Sequence, residues 1–330
     1  MESTLLVVIS LIIIALIFDF TNGFHDAANS IATIVATKTL TPIQAVAMAA
    51  FCNFIIMFFI TFKVAATIGK GIVIPQAVTL YVVFGCLMGA ITWNLITWWL
   101  GLPTSSSHAL IGGLIGASIA SGGIDVIYTN NIIKIVSFIV AAPIIGFVLG
   151  ASLNTIIRNI FPIETDRQNK WFKRLQIVSS ACYSMGHGAN DAQKTAGIIF
   201  LIMVAGGYLQ ATETIPYWAV LICFIVMGLG TLAGGWRIVQ TLGFKLTQLS
   251  SRQGCAAETG GSMMLFGASA MGIPVSTTHT ITGAILGVGA SQPDPKVKWK
   301  KAGEILIAWL LTIPCSALLA YAFWILSTHI

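Results

Sequence analysis

Two octets in this sequence carry hydroxyls in an order suited to holding an anion. Gly101-Leu102-Pro103-Thr104-Ser105-Ser106-Ser107-His108 lies between apolar stretches, and Gly272-Ile273-Pro274-Val275-Ser276-Thr277-Thr278-His279 repeats it 171 positions later. Extended to 18 residues, the copies share six identical positions, including Gly112 with Gly283 and Gly116 with Gly287. A proline followed by consecutive hydroxyls favours the start of a helix, whose first N–H groups have no carbonyl partner and can meet an anion. Two such ends, rimmed with Ser and Thr, can replace the hydration shell of an oxyanion without a cluster of full charges.

A second repeat supplies the opposite sign. Asp19-Phe20-Thr21-Asn22-Gly23-Phe24-His25-Asp26-Ala27-Ala28-Asn29 is answered by Ser184-Met185-Gly186-His187-Gly188-Ala189-Asn190-Asp191-Ala192-Gln193-Lys194, with Asp26 and Asp191 165 positions apart. A carboxylate at the centre of a membrane span costs about 2.5–3.5 kcal/mol even on the lenient insertion scale, so such groups persist by facing one another, a cavity or an ion. Asp19, Asp26, Asp191 and Glu258 all stand in apolar surroundings, and Lys194 follows Asp191 by three residues. Gly23, Gly186 and Gly188 beside them predict local unwinding that frees carbonyls for a cation. Anion-binding helix ends combined with carboxylate clusters point to cation-coupled anion uptake.

These motifs need an apolar scaffold, and the composition provides one. Of 330 residues 56% are hydrophobic and 8% charged, and the mean hydropathy is +0.90; soluble domains carry about 25% charged residues. Apolar runs of about 20 residues predict an all-α polytopic membrane protein. Spans are expected near 4–18, 27–41, 43–62, 78–100, 103–120, 131–157, 175–205, 215–236, 238–250, 254–271, 274–291 and 302–326, the shorter ones as half-helices or re-entrant pieces. The first run, Leu5 to Phe18, lacks a basic leader and a cleavage site and reads as a span rather than a signal peptide. The six cysteines stand singly, with no metal or disulfide spacing.

Arg158 to Arg174 holds five basic residues against Glu164 and Asp166. It forms a basic linker, 158–174, between a first repeat, 1–157, and a second, 175–330. The positive-inside rule places this linker, and the loop with Lys296, Lys298, Lys300 and Lys301, in the cytoplasm. The corresponding loop of the first half, 121–131, has Asp125 and no Lys or Arg. Opposite charge in equivalent loops predicts two inverted-topology repeats with broken helices and two re-entrant hairpins. An odd number of crossings per half then puts both termini outside. Basic loops account for the net charge of +6, so no nucleic-acid partner is expected.

The pattern Asp-x-x-Asn-Gly-x-x-Asp-x-Ala-Asn from Asp19, His-Gly-x-Asn-Asp from His187, and Pro-x-Ser-[Ser/Thr]-[Ser/Thr]-His from Pro103 and again from Pro274 resembles the inorganic phosphate transporter (PiT) family in its bacterial and archaeal short form. Gly254-Cys255-Ala256-Ala257-Glu258 is similar to that family's Gly-Phe-x-x-Glu stretch. The resemblance covers essentially the whole chain in the right order. It implies an inverted-repeat fold, phosphate held near the midplane by the tips of two hairpins, and symport with H⁺ or Na⁺ across the cytoplasmic membrane. Neither a catalytic residue nor a cofactor is implied. Carried over by position, the phosphate-binding residues would be Thr104, Ser105, Ser106, Ser107, Ser276, Thr277 and Thr278. The coupling-cation side would be Asp19, Asn22, Asp26, Asn190, Asp191, Lys194 and Glu258, with Na⁺, if it is the ion, at Asp26 and Asp191. Where the Na⁺-coupled branch continues Asp-x-x-Asn, this chain has Asp191-Ala192-Gln193-Lys194. An ammonium there can stand in for a coupling cation or neutralise phosphate, which favours H⁺. The expected partners are inorganic phosphate, the coupling cation, the lipid bilayer and a second copy of the chain in a homodimer.

Plainer readings apply to single residues. Ser and Thr runs in membrane helices often bond to a preceding carbonyl, but two copies after Gly-x-Pro argue for a site. Asp19 has no carboxylate counterpart, since Ser184 stands opposite. His25, His108, His187 and His279 suit either proton relays or hydrogen bonds that hold a hairpin. Glu258 serves a cation or pairs with Arg252, and Gly112, Gly116, Gly283 and Gly287 suit close helix packing. A sulfate permease of the same fold would keep the mechanism and change the anion, although sulfate lacks the proton that phosphate can donate to Asp26 or Asp191. An intramembrane hydrolase is disfavoured: Ser107 and His108 are adjacent and diverge on a helix, and no His-Glu-x-x-His motif is present.

Overall fold

In a computed structural model, which describes residues 2–163 and 165–329, the chain is helical. Among the described residues there are twelve α-helices and no strand, only an isolated bridge between Val73 and Ile127. Glu164 of the expected linker lies outside the described residues. The first six helices are α1 (Glu2–Ala36), α2 (Pro42–Ile55), α3 (Lys63–Gly71), α4 (Leu80–Leu100), α5 (Ser106–Gly122) and α6 (Thr129–Ile160). A second six follow in a similar alternation of long and short helices: α7 (Asp166–Ala205), α8 (Tyr217–Ala233), α9 (Trp236–Gln240), α10 (Ser251–Ala270), α11 (Thr277–Ala290) and α12 (Trp299–His329). The last helix of each set carries an internal proline at the matching place, Pro143 and Pro314.

Local sequence sets several helix starts. Thr41 and Thr165 accept from the amides of Gln44 and Gln168, whose side chains bond back to the cap amides, and Pro42 opens α2. α1, α2 with the turn after it, α4, α6 and α12 are long and apolar enough to cross a membrane. α8 joined to 236–245 makes a further candidate, bent by 60°. At 40 residues α7 spans about 60 Å, yet its middle is polar. Every residue from Gly186 to Ile202 is buried, so protein rather than lipid surrounds it.

One expectation is corrected here. α1 runs unbroken from the first expected span into the second, through Gly23, and α7 continues through Gly186 and Gly188. These glycines serve packing rather than unwinding. A Cβ at Gly23 would lie 2.3 Å from Met227 O, and one at Gly188 2.4 Å from Asn53 O; bare backbone lets α8 and α2 approach. Within the basic linker, α6 extends to Ile160 and α7 begins at Asp166.

The two sets of helices interlock. α1 packs on α8, and α7 on α2 and α3; α5 lies along α12, and α11 along α6. The last two contacts depend on Gly116 and Gly287, where an added Cβ would sit 2.2 Å from Ala317 O and 2.0 Å from Phe147 O. α4–α5 and α10–α11 form helical hairpins that turn at Gly101 (φ +66°) and Gly272 (φ +68°). This left-handed conformation is open to glycine and ends both α4 and α10.

Candidate anion- and cation-binding site

The octets become the starts of α5 and α11. Ser105 Oγ accepts from the His108 amide at 3.3 Å, and Ser276 Oγ from the His279 amide at 3.1 Å. Both serines therefore cap their own helices, and the hydroxyls expected to hold a ligand are engaged in building the helix ends. Ser106, Ser107, Thr277 and Thr278 are the first two residues of each helix, where an amide has no carbonyl one turn back. Their amides and hydroxyls gather at two helix ends of partial positive charge. All seven residues expected to bind phosphate are buried, and Thr104 Oγ1 has no partner among the described residues.

α1 and α7 bring carboxylates to these ends in matching fashion. Ser106 Oγ donates to Asp26 Oδ1 at 3.2 Å, and Thr277 Oγ1 to Asp191 Oδ2 at 3.1 Å. About one turn further along, each helix reaches across to the other hairpin. Asn29 Nδ2 donates to Thr277 Oγ1 at 3.2 Å and to Thr278 Oγ1 at 2.9 Å. Lys194 Nζ donates to Ser107 Oγ, to Asp191 Oδ1 at 2.5 Å and to Val275 O at 2.9 Å. One ammonium thus ties together two tips that are distant in sequence. A buried ion pair with further hydrogen bonds is the arrangement in which buried charge is tolerated.

Each carboxylate also has a histidine. His25 Nδ1 is 2.6 Å from Asp26 Oδ1, and His187 Nε2 is 3.2 Å from Asp191 Oδ2. Ligand atoms of Asp26, His187 and Asp191 lie within 4.8 Å of one another, a geometry able to hold a cation. Donors therefore converge at the hairpin tips while acceptors flank them on α1 and α7.

The remaining expected residues divide. Asp19, two turns before Asp26 on the same face of α1, accepts from Thr195 Oγ1 at 2.7 Å. Its Oδ2, like Asn22 Oδ1, is buried with no partner among the described residues. Asn190 donates to Ser269 Oγ at 3.3 Å and Ile273 O at 3.2 Å and accepts from the Val275 amide at 3.3 Å. Its carboxamide is taken up in holding the backbone that leads to the second tip. Glu258 belongs to a separate buried cluster, accepting from Ser179 at 2.5 Å, Thr33 at 2.6 Å and Gln176 at 3.1 Å. None of these partners is shared with Asp19, Asp26 or Asp191.

Three residues of the site escaped the sequence reading. Asn29 stands opposite Lys194 when the repeats are aligned, and that alignment was the signal for it. Tyr183 OH donates to Thr277 O at 2.8 Å. Trp309 Nε1 donates to Pro103 O at 2.8 Å while its ring stacks on His279 at 3.7 Å, and His279 meets His108 edge to face at 4.5 Å. Tyr183 and Trp309 lie outside both repeated motifs, so their types alone carried no signal.

Known proteins share this architecture. The pattern of the "Phosphate transporter family" matches residues 22–320. A protein of Rhizobium meliloti (strain 1021) named "Probable low-affinity inorganic phosphate transporter" is 51% identical over 323 residues, 97% of each chain. One of the same name from Bacillus subtilis (strain 168) is 44% identical over 331 residues, 99% of each chain. Among solved structures, "The sodium-dependent phosphate transporter" superposes with a TM-score of 0.87 at 26% identity, covering 98% of this chain and 99% of that one.

Proposed function

The chain belongs to the phosphate transporter family, and from that premise we propose that it imports inorganic phosphate across the cytoplasmic membrane in symport with protons. Phosphate sits between the two tips, held by the amides and hydroxyls of Ser106, Ser107, Thr277 and Thr278, with Ser105 and Ser276 shaping the helix ends. Its oxygens take over the hydroxyls that donate to Asp26 and Asp191. The released carboxylates then hold the coupling cation, so each ligand favours binding of the other.

Lys194 carries the preference for protons. Its ammonium rests on Asp191 at the position matching neutral Asn29, a fixed positive charge where a second mobile cation would otherwise bind. Asp26 beside His25, and His187 beside Asp191, remain as the side chains that can carry the proton. A second reading, Na⁺ coupling at Asp26 and Asp191, is favoured by the close grouping of Asp26, His187 and Asp191 and by the likeness to a transporter named as sodium-dependent. Uptake of labelled phosphate into proteoliposomes, with pH and Na⁺ gradients imposed separately, decides between them. Proton symport requires accumulation driven by a pH gradient in Na⁺-free medium; accumulation only with Na⁺ overturns it. Labelled sulfate in the same assay tests the rival anion.

For topology we retain residues 1–157 and 175–330 as inverted repeats with re-entrant α4–α5 and α10–α11 hairpins and both termini outside. The repeated order of helices, with Pro143 matching Pro314, and the opposite charge of equivalent loops support it. Impermeant labelling of cysteines placed at each terminus of intact cells checks it, and protection of either end refutes it.

A further inference from the structure

Both hairpin turns are built alike. The Gly101 amide donates to Trp98 O at 2.9 Å and the Leu102 amide to Thr97 O at 2.9 Å; the Gly272 amide donates to Ser269 O at 3.0 Å and the Ile273 amide to Ala268 O at 2.9 Å. This pair of bonds closes the end of a helix but leaves other terminal carbonyls pointing outward. Those carbonyls are met by side chains from a short helix of the opposite half. Arg237 Nη1 donates to Trp99 O at 2.5 Å, and Thr241 Oγ1 to Gly101 O at 2.9 Å. Lys63 Nζ donates to Ala270 O at 3.1 Å, and Thr67 Oγ1 to Gly272 O at 2.7 Å.

The correspondence is complete in sequence as well as in space. Trp99 and Ala270 are 171 positions apart, as are Gly101 and Gly272; Lys63 matches Arg237, and Thr67 matches Thr241, at a common spacing of 174. In each case a cation and a threonine four residues apart present on one helical face. The cation faces the negative end of the preceding hairpin helix. From each clamped turn only Leu102-Pro103-Thr104 or Ile273-Pro274-Val275 separates the clamp from the capping serine, and proline stiffens that connection. Where the turn is held, the hydroxyl tip is held.

The two cations are placed to let go. Lys63 and Arg237 are exposed. α3 has nine residues, and α9 has five before it runs into a wider turn at Thr241–Lys245. Beside the first turn lies a cavity of about 240 Å³ lined by Arg237, Lys245 and Lys301, and beside the second one of about 130 Å³ lined by Thr67, Asn131 and Lys134. Water or an anion reaching either cavity can compete for the donors.

We propose that Arg237 with Thr241, and Lys63 with Thr67, are two independent latches that position the α4–α5 and α10–α11 hairpins, and that transport opens one latch while the other stays closed. They are positioning residues: they act on the tips through the turns. The purpose assigned to them rests on the transport reading, but the latch itself can be tested without any uptake. Leu102→Cys and Ile273→Cys serve as matched reporters in a chain with Cys182 and Cys315 replaced by serine, labelled in liposomes with a maleimide. Loss of one hydrogen bond favours local opening by about tenfold. Thr241→Val should therefore speed labelling at Leu102→Cys by about that factor and leave Ile273→Cys unchanged, with Thr67→Val doing the reverse. Thr241→Ser and Thr67→Ser should restore slow labelling. An equal change at both reporters would mark general loosening and overturn the proposal. So would unchanged labelling at Leu102→Cys in the Arg237→Gln, Thr241→Val double variant.

Discussion

Replacing Lys194 by asparagine converts the second half of the site to the chemistry of the first. In the wild type the ammonium bonds Asp191 at 2.5 Å and also reaches Ser107 and Val275 O. Asparagine can retain a bond to a hairpin hydroxyl, as Asn29 bonds Thr278 at 2.9 Å, but it carries no charge. Asp191 is then a buried carboxylate without its cation, a loss of about 3–5 kcal/mol when one partner of a buried pair is removed. At 1.4 kcal/mol per tenfold this corresponds to a decrease on the order of a hundred- to a few-thousand-fold in the population able to bind phosphate. An external cation that replaces the ammonium recovers that energy. Labelled phosphate uptake into proteoliposomes, in choline and in Na⁺ at one pH, is the assay. Lys194→Asn should be nearly inactive in choline and should regain uptake in Na⁺. Wild-type uptake by the variant in choline would refute the role given to the ammonium.

Other substitutions separate the roles at the hairpin tips. Ser106→Ala combined with Thr277→Val removes two donors to the anion at about 1.5–3 kcal/mol each, so the half-saturating phosphate concentration should rise by about a hundredfold or more in initial-rate assays. Ser105→Ala removes a helix cap at about 1 kcal/mol and should lower the melting temperature in detergent. Gly287→Ala would place a methyl 2.0 Å from Phe147 O. Although alanine is the better helix former, overpacking by about 1–3 kcal/mol should dominate and lower the melting temperature; a gain in stability would contradict the close contact of α11 with α6.

Much of this site was legible because it is written twice. Asp26 with Asp191, and the two hydroxyl runs, could be matched in sequence before any contact was known, and the structure brings each carboxylate to a hydroxyl of its own half. What repetition could not disclose was which bonds are local and which cross. A hydroxyl near a helix start serves a cap or an anion, and sequence alone did not show that Ser105 and Ser276 accept from their own helices at 3.3 Å and 3.1 Å while each keeps an O–H to donate. Asn190 and Glu258 carried the right chemistry for a cation, yet their partners come from distant segments that spacing along the chain does not locate. The glycines misled for a related reason. A small residue beside a carboxylate reads as a place for the helix to open, but Gly23 and Gly188 are required by the backbones of α8 and α2.

The unbroken course of α1 and α7 also bears on which ion can be used. In an intact helix the main-chain carbonyls around Asp26 and Asp191 remain committed to the internal ladder. A hard divalent cation such as Ca²⁺ or Mg²⁺ gathers about six oxygen ligands or more, and a helix opened at glycine would have supplied several of them. Here the nearby donors are mostly side chains, namely two carboxylates, the hydroxyls of Ser106 and Thr277 and one nitrogen of His187, joined by Val275 O of the second tip. Helix continuity thus withholds the main chain of α1 and α7 from any bound cation, which must be held by side chains and by the hairpin tips.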